Sequence, residues 1–124
     1  MGKRTAPDLD GPATVSLDID VRELKRNPEG YRLEQVEGPG APRMIILEED
    51  AYTLGRSAQC DLTFASNELS RSHARLTRTE AGYAVKDLDS LNGLFLNGIR
   101  VHGAQLCEGD AVQIGNIVLI YSEG

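Results

Sequence analysis

From about Tyr31 to the C-terminus, short stretches of alternating apolar and polar residues are separated by clusters of Gly, Pro, Asn, Asp and Ser. That pattern predicts half-buried strands, because side chains on an extended backbone point alternately to its two faces. Tyr31 to Glu37 reads as a first strand, Gly38-Pro-Gly-Ala-Pro42 as a turn and Met44 to Leu47 as a second strand. Tyr52-Thr-Leu54 is a third, running straight into Gly55-Arg56, and Asp61 to Phe64 is a short fourth. Ala74 to Arg78 and Tyr83 to Leu88 predict a hairpin around Glu80-Ala-Gly82, and Leu94 to Leu96 with Arg100-Val101 predict a ribbon turning at Asn97-Gly98. After a turn at Glu108-Gly-Asp110 comes a last hairpin, Ala111 to Ile114 with Ile117 to Tyr121. It turns at Gly115-Asn116, the glycine-first form of a type II′ turn. About ten short strands and no convincing long helix predict an all-β sandwich, in which loops at one end can converge on a ligand.

The first 29 residues read differently. Thr5 to Thr14 carries two prolines, a glycine and few apolar groups, the composition of a tail or linker. Val15-Ser-Leu-Asp-Ile-Asp-Val21 then alternates strictly, as a half-buried strand does. A short helix over 15–26 fits equally well: Leu17, Val21 and Leu24 share a face, Asp18 and Asp20 lie early, and Arg22, Lys25 and Arg26 lie late, matching the helix dipole. Both readings stay open, and Asn27-Pro28 stops either element. The expected organisation is a partly flexible N-terminal tail over 1–29, with a short ordered segment at 15–26, followed by one domain over 30–124.

Composition narrows the function classes. A 124-residue chain, 40% apolar and 26% charged, suits one globular domain with a tail to spare. The longest apolar run, Ile117 to Tyr121, is far short of a membrane span, and no hydrophobic stretch follows Met1-Gly-Lys-Arg-Thr-Ala-Pro7. Ala6 also departs from the myristoylation pattern. A cytoplasmic protein without membrane attachment is expected. Cys60, Cys107, His73 and His102 include no close ligand pair, so no metal site and no cofactor is expected, and the cysteines read as ordinary reduced thiols. After Gly30 there are eight basic and thirteen acidic residues, a charge of about −5, which disfavours nucleic acid. A few clustered arginines on an acidic body can still form one local anion site, because contacts at hydrogen-bonding distance outweigh screened distant charge.

The loops offer such a cluster. Arg56 follows a glycine at a strand end, where a guanidinium can present two parallel donors to a phosphate, although a lone loop arginine equally serves as a solvated charge. Ser70 and Ser72 flank Arg71 ahead of His73, a turn that suits an anion or simply satisfies itself. Ser90-Leu91-Asn92-Gly93 supplies a hydroxyl, an amide that both donates and accepts, and a glycine free to take positive φ.

Taken in order, Gly55-Arg56, Ser70-Arg-Ser-His73, Asp87-Leu-Asp-Ser-Leu-Asn-Gly93, Asn97-Gly98, Gly109-Asp110 and Gly115 resemble the forkhead-associated (FHA) domain over about residues 30 to 122. The resemblance extends to small bacterial FHA regulators with an N-terminal tail. It implies an eleven-stranded β-sandwich that binds phosphothreonine peptides through loops at one end and performs no catalysis. Carried over, Arg56 holds the phosphate, Ser70 hydrogen-bonds it, Asn92 fixes the peptide main chain, and Arg71 adds charge or peptide contacts. Gly55 and His73, with Gly93, Asn97 and Gly98, correspond to residues that shape and brace the loops.

Two departures bear on affinity and selectivity. Many members carry Thr where this chain has Leu91, whose side chain cannot contact phosphate, so the site is expected to be weaker, with Ser90 as a substitute donor. Glu68 stands where some members have an arginine that selects Asp three residues after the phosphothreonine, so a neutral or basic residue is expected there instead. Relatives of this size often carry a phosphorylatable threonine in the tail, and the candidates are Thr5 and Thr14. Thr14 lies seventeen residues before Tyr31, a flexible span of roughly 20 to 25 Å that can reach a site on the same domain. Thr14, however, lacks tandem threonines and an acidic run, and Asp8 stands at the third position after Thr5, against the Glu68 expectation.

The leading expectation is a phosphothreonine-binding adaptor reading Ser/Thr kinase output, partnered by a phosphothreonine-containing protein or kinase, or by its own phosphorylated tail. The alternative is a structural FHA module that docks protein without phosphate. No nucleophile, base and orienting acid share one loop set, so an enzyme is not expected.

Overall fold

The structure, a computed structural model, describes residues 30–124. Thr5, Thr14 and the segment 15–26 lie outside the described residues. Eleven strands follow in order: β1 Arg32–Glu37, β2 Arg43–Ile46, β3 Ala51–Gly55, β4 Leu62–Thr63, β5 Ala74–Thr79, β6 Gly82–Asp87, β7 Leu94–Leu96, β8 Ile99–Val101, β9 Gly103–Gln105, β10 Ala111–Ile114 and β11 Ile117–Ser122. They form a six-stranded sheet ordered β2-β1-β11-β10-β7-β8 and a five-stranded sheet ordered β4-β3-β5-β6-β9. Neighbours are antiparallel except β3 and β4, which run parallel.

The alternation in the sequence sets the core. On β11, Ile117, Leu119 and Tyr121 are buried while Val118, Ile120 and Ser122 between them face outward, and Leu33, Leu54, Leu76, Val85, Val112 and Ile114 supply the rest of the inner layer. Each such aliphatic side chain contributes roughly 1.5 to 3 kcal/mol by leaving water. Two turns match the chemistry of their sequences. Asn97 and Gly98 both take positive φ, as a two-residue type I′ hairpin requires, whereas Gly115 does so without Asn116, as in type II′.

β9 is the strand that the alternation does not disclose. Gly103-Ala-Gln105 has no apolar rhythm, and it is a strand because Gln105, Ala104 and Gly103 pair with Ala84, Val85 and Lys86 on the open edge of β6.

The two ends of the sandwich are chemically distinct. At one end, β3 runs out into Gly55-Arg56 beside the β4–β5 and β6–β7 loops, and the Ser66 hydroxyl donates to Asn116 Oδ1 in the β10–β11 turn at 2.6 Å. At the other end, Tyr31 packs edge-on to Tyr83 and stacks on Tyr121, with ring centroids 5.5 and 6.3 Å apart, and Arg78 lies over the Tyr31 ring. The chain enters the sheet at this tyrosine end, where Gly124 N–H donates to the Gly30 carbonyl.

Candidate functional site

Gly55 is where the site begins. A Cβ there would overlap the Arg71 carbonyl oxygen and stand 3.0 Å from Cys60 Sγ, so only glycine lets the end of β3 lie against the Ser70 loop. That approach is stitched by backbone bonds: Arg56 N–H donates to the Ser70 carbonyl and Ser57 N–H to the Arg71 carbonyl, each at 3.1 Å. The Arg56 side chain is exposed, and its Nε–H donates to the Leu69 carbonyl at 3.2 Å. With Nε anchored, the two terminal amino groups remain as a fork for an anion.

His73 organises the next two loops. Its ring is fully buried. Nδ1 accepts the Ser70 N–H at 3.1 Å, which places the ring hydrogen on Nε2, and Nε2 donates to the Gly93 carbonyl at 2.8 Å. The neutral imidazole is thus a bracket between the Ser70 and Ser90 loops. A second bracket lies in front of it: Ser70 Oγ accepts the Leu91 N–H at 3.0 Å, leaving the hydroxyl hydrogen to point elsewhere, and Asn92 Nδ2 donates to the Glu68 carbonyl at 2.6 Å. These contacts bring Arg56, Ser70 and Asn92, with Glu68 and Leu91, to one end of the sandwich. Leu91 is 85% exposed at the rim. Arg71 is also exposed and borders a polar groove lined by Thr53, Ser57, Gln59, Cys60 and Ser72, while its carbonyl accepts the Cys60 thiol.

One expectation needs correction. Ser90 is not placed as a substitute donor for a ligand: it is buried, its hydroxyl donates to Asp87 Oδ1, and its oxygen accepts the Gly93 N–H at 2.9 Å. Both functions of that hydroxyl are used inside the turn, where they let Gly93 adopt a φ of 90°. Asn97 and Gly98 are structural, as expected of them, but they act away from the ligand loops. Asn97 Nδ2 donates to Asp110 Oδ1 at 3.0 Å and Asn97 Oδ1 accepts the Ala111 N–H, so this pair ties the β7–β8 turn to the loop before β10, at the far end of β7.

Arg100 was missed by the sequence reading. Its guanidinium lies over Gly93, where a Cβ would stand 2.7 Å from Nε, so it adds a cation beside Asn92. The signal was present: the two-residue Asn97-Gly98 turn pairs Arg100 with Phe95, making it a diagonal neighbour of residue 93 on the same face. Among the described residues, no group of three His, Cys, Asp or Glu is arranged to hold a metal ion, and no helix is long and apolar enough to cross a membrane.

The family model of the FHA domain matches residues 52–115, just over half of the chain and all three of these loops. The chain belongs to the FHA family. It is 32% identical to the glycogen accumulation regulator GarA of Mycolicibacterium smegmatis over 118 residues, 94% of this chain and 75% of GarA. That match extends beyond the described residues into the stretch before Gly30. It is 34% identical to the oxoglutarate dehydrogenase inhibitor of Corynebacterium diphtheriae, over 70% of this chain and 61% of that protein. Among solved structures, Mycobacterium tuberculosis EmbR in complex with a low-affinity phosphopeptide superposes with a TM-score of 0.70 at 25% identity, covering 86% of this chain and 29% of EmbR. FHA domains are among the readers of phosphorylated motifs that work through arginine clusters, and the two relatives named above are called a regulator and an enzyme inhibitor.

Proposed function

We propose that this FHA domain is a non-catalytic phosphothreonine-peptide reader that couples the output of a Ser/Thr kinase to a protein partner. The observation that carries this reading is the convergence of Arg56, Ser70 and Asn92 at one end of the sandwich, held by the His73 bracket. In it, the terminal amino groups of Arg56 grip the phosphate in a two-pronged, charge-assisted contact and the Ser70 hydroxyl donates to a phosphate oxygen. Asn92, with one Nδ2 hydrogen held by the Glu68 carbonyl, offers its Oδ1 to a main-chain N–H of the peptide. Arg71 and Arg100 flank the site and attract the dianion across an otherwise acidic surface. The similarity to a regulator and to an enzyme inhibitor supports an adaptor acting through binding alone.

The test is titration of the full chain with a degenerate phosphothreonine peptide library, with phosphorylated Thr5 and Thr14 tail peptides, and with each unphosphorylated counterpart. Binding that requires the phosphate and disappears in Arg56→Ala supports the reading. Equal binding of unphosphorylated peptides, retained in Arg56→Ala, assigns the chain instead to phosphate-independent docking.

A further inference from the structure

The outer face of the six-stranded sheet carries more apolar surface than the ligand site uses. On β2, Met44 and Ile46 are 53% and 52% exposed, and Val36 in the β1 bulge is 43% exposed. Register places Ile120 two strands from Met44 on the same face, through Glu34, and places Val118 opposite Gln113, which in turn faces Phe95. Arg32 and Glu34, on β1, stand between these apolar residues. Five strands about 4.8 Å apart, of which β1 and β11 are the longest at six residues and the others have three or four, make this face at most roughly 20 Å by 20 Å. That is on the order of 400 Å², half of the roughly 800 Å² per partner that a stable protein interface buries, so a second copy is a poor occupant.

A better occupant is tethered beside it. The chain enters this sheet through β1, and the amphipathic segment 15–26 ends only a few residues before Gly30. We propose that residues 15–26 form a helix that docks across this outer face through Leu17, Val21 and Leu24. An extended strand laid on a sheet face would leave its own N–H and C=O groups without partners, whereas a helix satisfies them internally. Twelve helical residues span about 18 Å, close to the roughly 20 Å length of β11. With its C-terminus tied to Gly30 at the tyrosine end, the helix runs back along the strands towards the ligand loops. Lys25 and Asp20 border its apolar face, one charge of each sign for Glu34 and Arg32. The proposal rests on the sheet and the tether, not on phosphate recognition.

Amide hydrogen exchange on the unphosphorylated full chain tests it. The expected result is protection of residues 17–26 by about tenfold or more over the free-chain rate, independent of protein concentration and unchanged in Arg56→Ala. Protection is lost in Leu17→Asp/Leu24→Asp and, from the other side, in Met44→Asp/Ile46→Asp, and is kept in Ile19→Asp, which lies on the opposite helix face. Unaltered exchange of the β5–β6 core amides verifies that each variant is folded, and Met44→Lys replaces the double variant if it is not. Free-chain exchange at 17–26 in the parent, protection that grows with concentration, or loss in Ile19→Asp equal to that in Leu17→Asp/Leu24→Asp would each overturn the proposal.

Discussion

His73 Nε2 and the Gly93 carbonyl oxygen, twenty residues apart in sequence, lie 2.8 Å apart in the buried seam between the two ligand loops. Because the other ring nitrogen accepts the Ser70 N–H, removing the imidazole orphans one buried donor and one buried acceptor at once. Each orphaned group costs about 1 to 3 kcal/mol. His73→Ala is expected to lose roughly 2 to 4 kcal/mol of stability in denaturant unfolding. At a temperature where it stays folded, it is expected to bind phosphopeptide at least tenfold more weakly. A variant with parental affinity would show that the ring is not what sets the loops.

Arg56 and Ser70 separate charge from geometry. Arg56→Ala removes the phosphate fork and is expected to abolish measurable phosphopeptide binding. Arg56→Lys keeps the charge but neither the two parallel donors nor the Nε anchor on Leu69, and should bind about tenfold or more weakly than the parent. Ser70→Ala deletes a phosphate donor and also the acceptor for Leu91 N–H, and a loss of similar size is expected. Calorimetric titration with a single phosphothreonine peptide measures all three. Equal affinities for the parent and Arg56→Lys would contradict a two-pronged contact.

Leu91 and Glu68 are where affinity and selectivity can be gained. The Leu91 side chain stands in solvent while its N–H is held by Ser70, so Leu91→Thr places a hydroxyl at the rim without disturbing the turn. One added hydrogen bond to a charged group is worth on the order of 1.5 to 3 kcal/mol, so phosphopeptide affinity should rise about tenfold or more. The exposed Glu68 carboxylate is expected to disfavour Asp three residues after the phosphothreonine, and Glu68→Arg should reverse that preference in a peptide array. A parent array already dominated by Asp at that position would remove Glu68 from the recognition scheme.

Most of the fold was legible because its cause is local. Alternation located β1 to β8 and β10 to β11 to within a residue or two at each end, and Asn97-Gly98 and Gly115-Asn116 specified their own turns. β9 escaped because its strand character comes from pairing with β6 rather than from its side chains. The ligand loops were legible as a motif, yet the division of labour within them was not. Ser70 and Ser90 are both serines beside charged residues, and only the three-dimensional arrangement shows one hydroxyl facing out and the other consumed by Asp87 and Gly93. Arg100 reaches the site across a hairpin, a relationship that spacing encodes only after the register is known.

The tyrosine end predicts how the domain fails in alkali. Burial, followed by the hydrogen bond to Glu123 and the negative charge of that residue, raises the Tyr121 phenol well above its ordinary value near 10, and burial likewise raises Tyr83. The unfolded chain therefore releases these protons first as pH rises. Their contribution to stability is complete below about pH 10 and drains away as pH climbs from there through the raised folded values. Denaturant midpoints are expected to hold steady from neutral pH to about pH 9 and to fall steeply by about pH 11. Tyr121→Phe gives up a hydrogen bond worth about 1 kcal/mol at neutral pH but removes one of the titrating groups, so its midpoint should fall less over the same interval. A parent midpoint that is flat to about pH 11, or a Tyr121→Phe curve parallel to the parent, would mean that these phenols ionise as freely in the folded protein as in the unfolded chain.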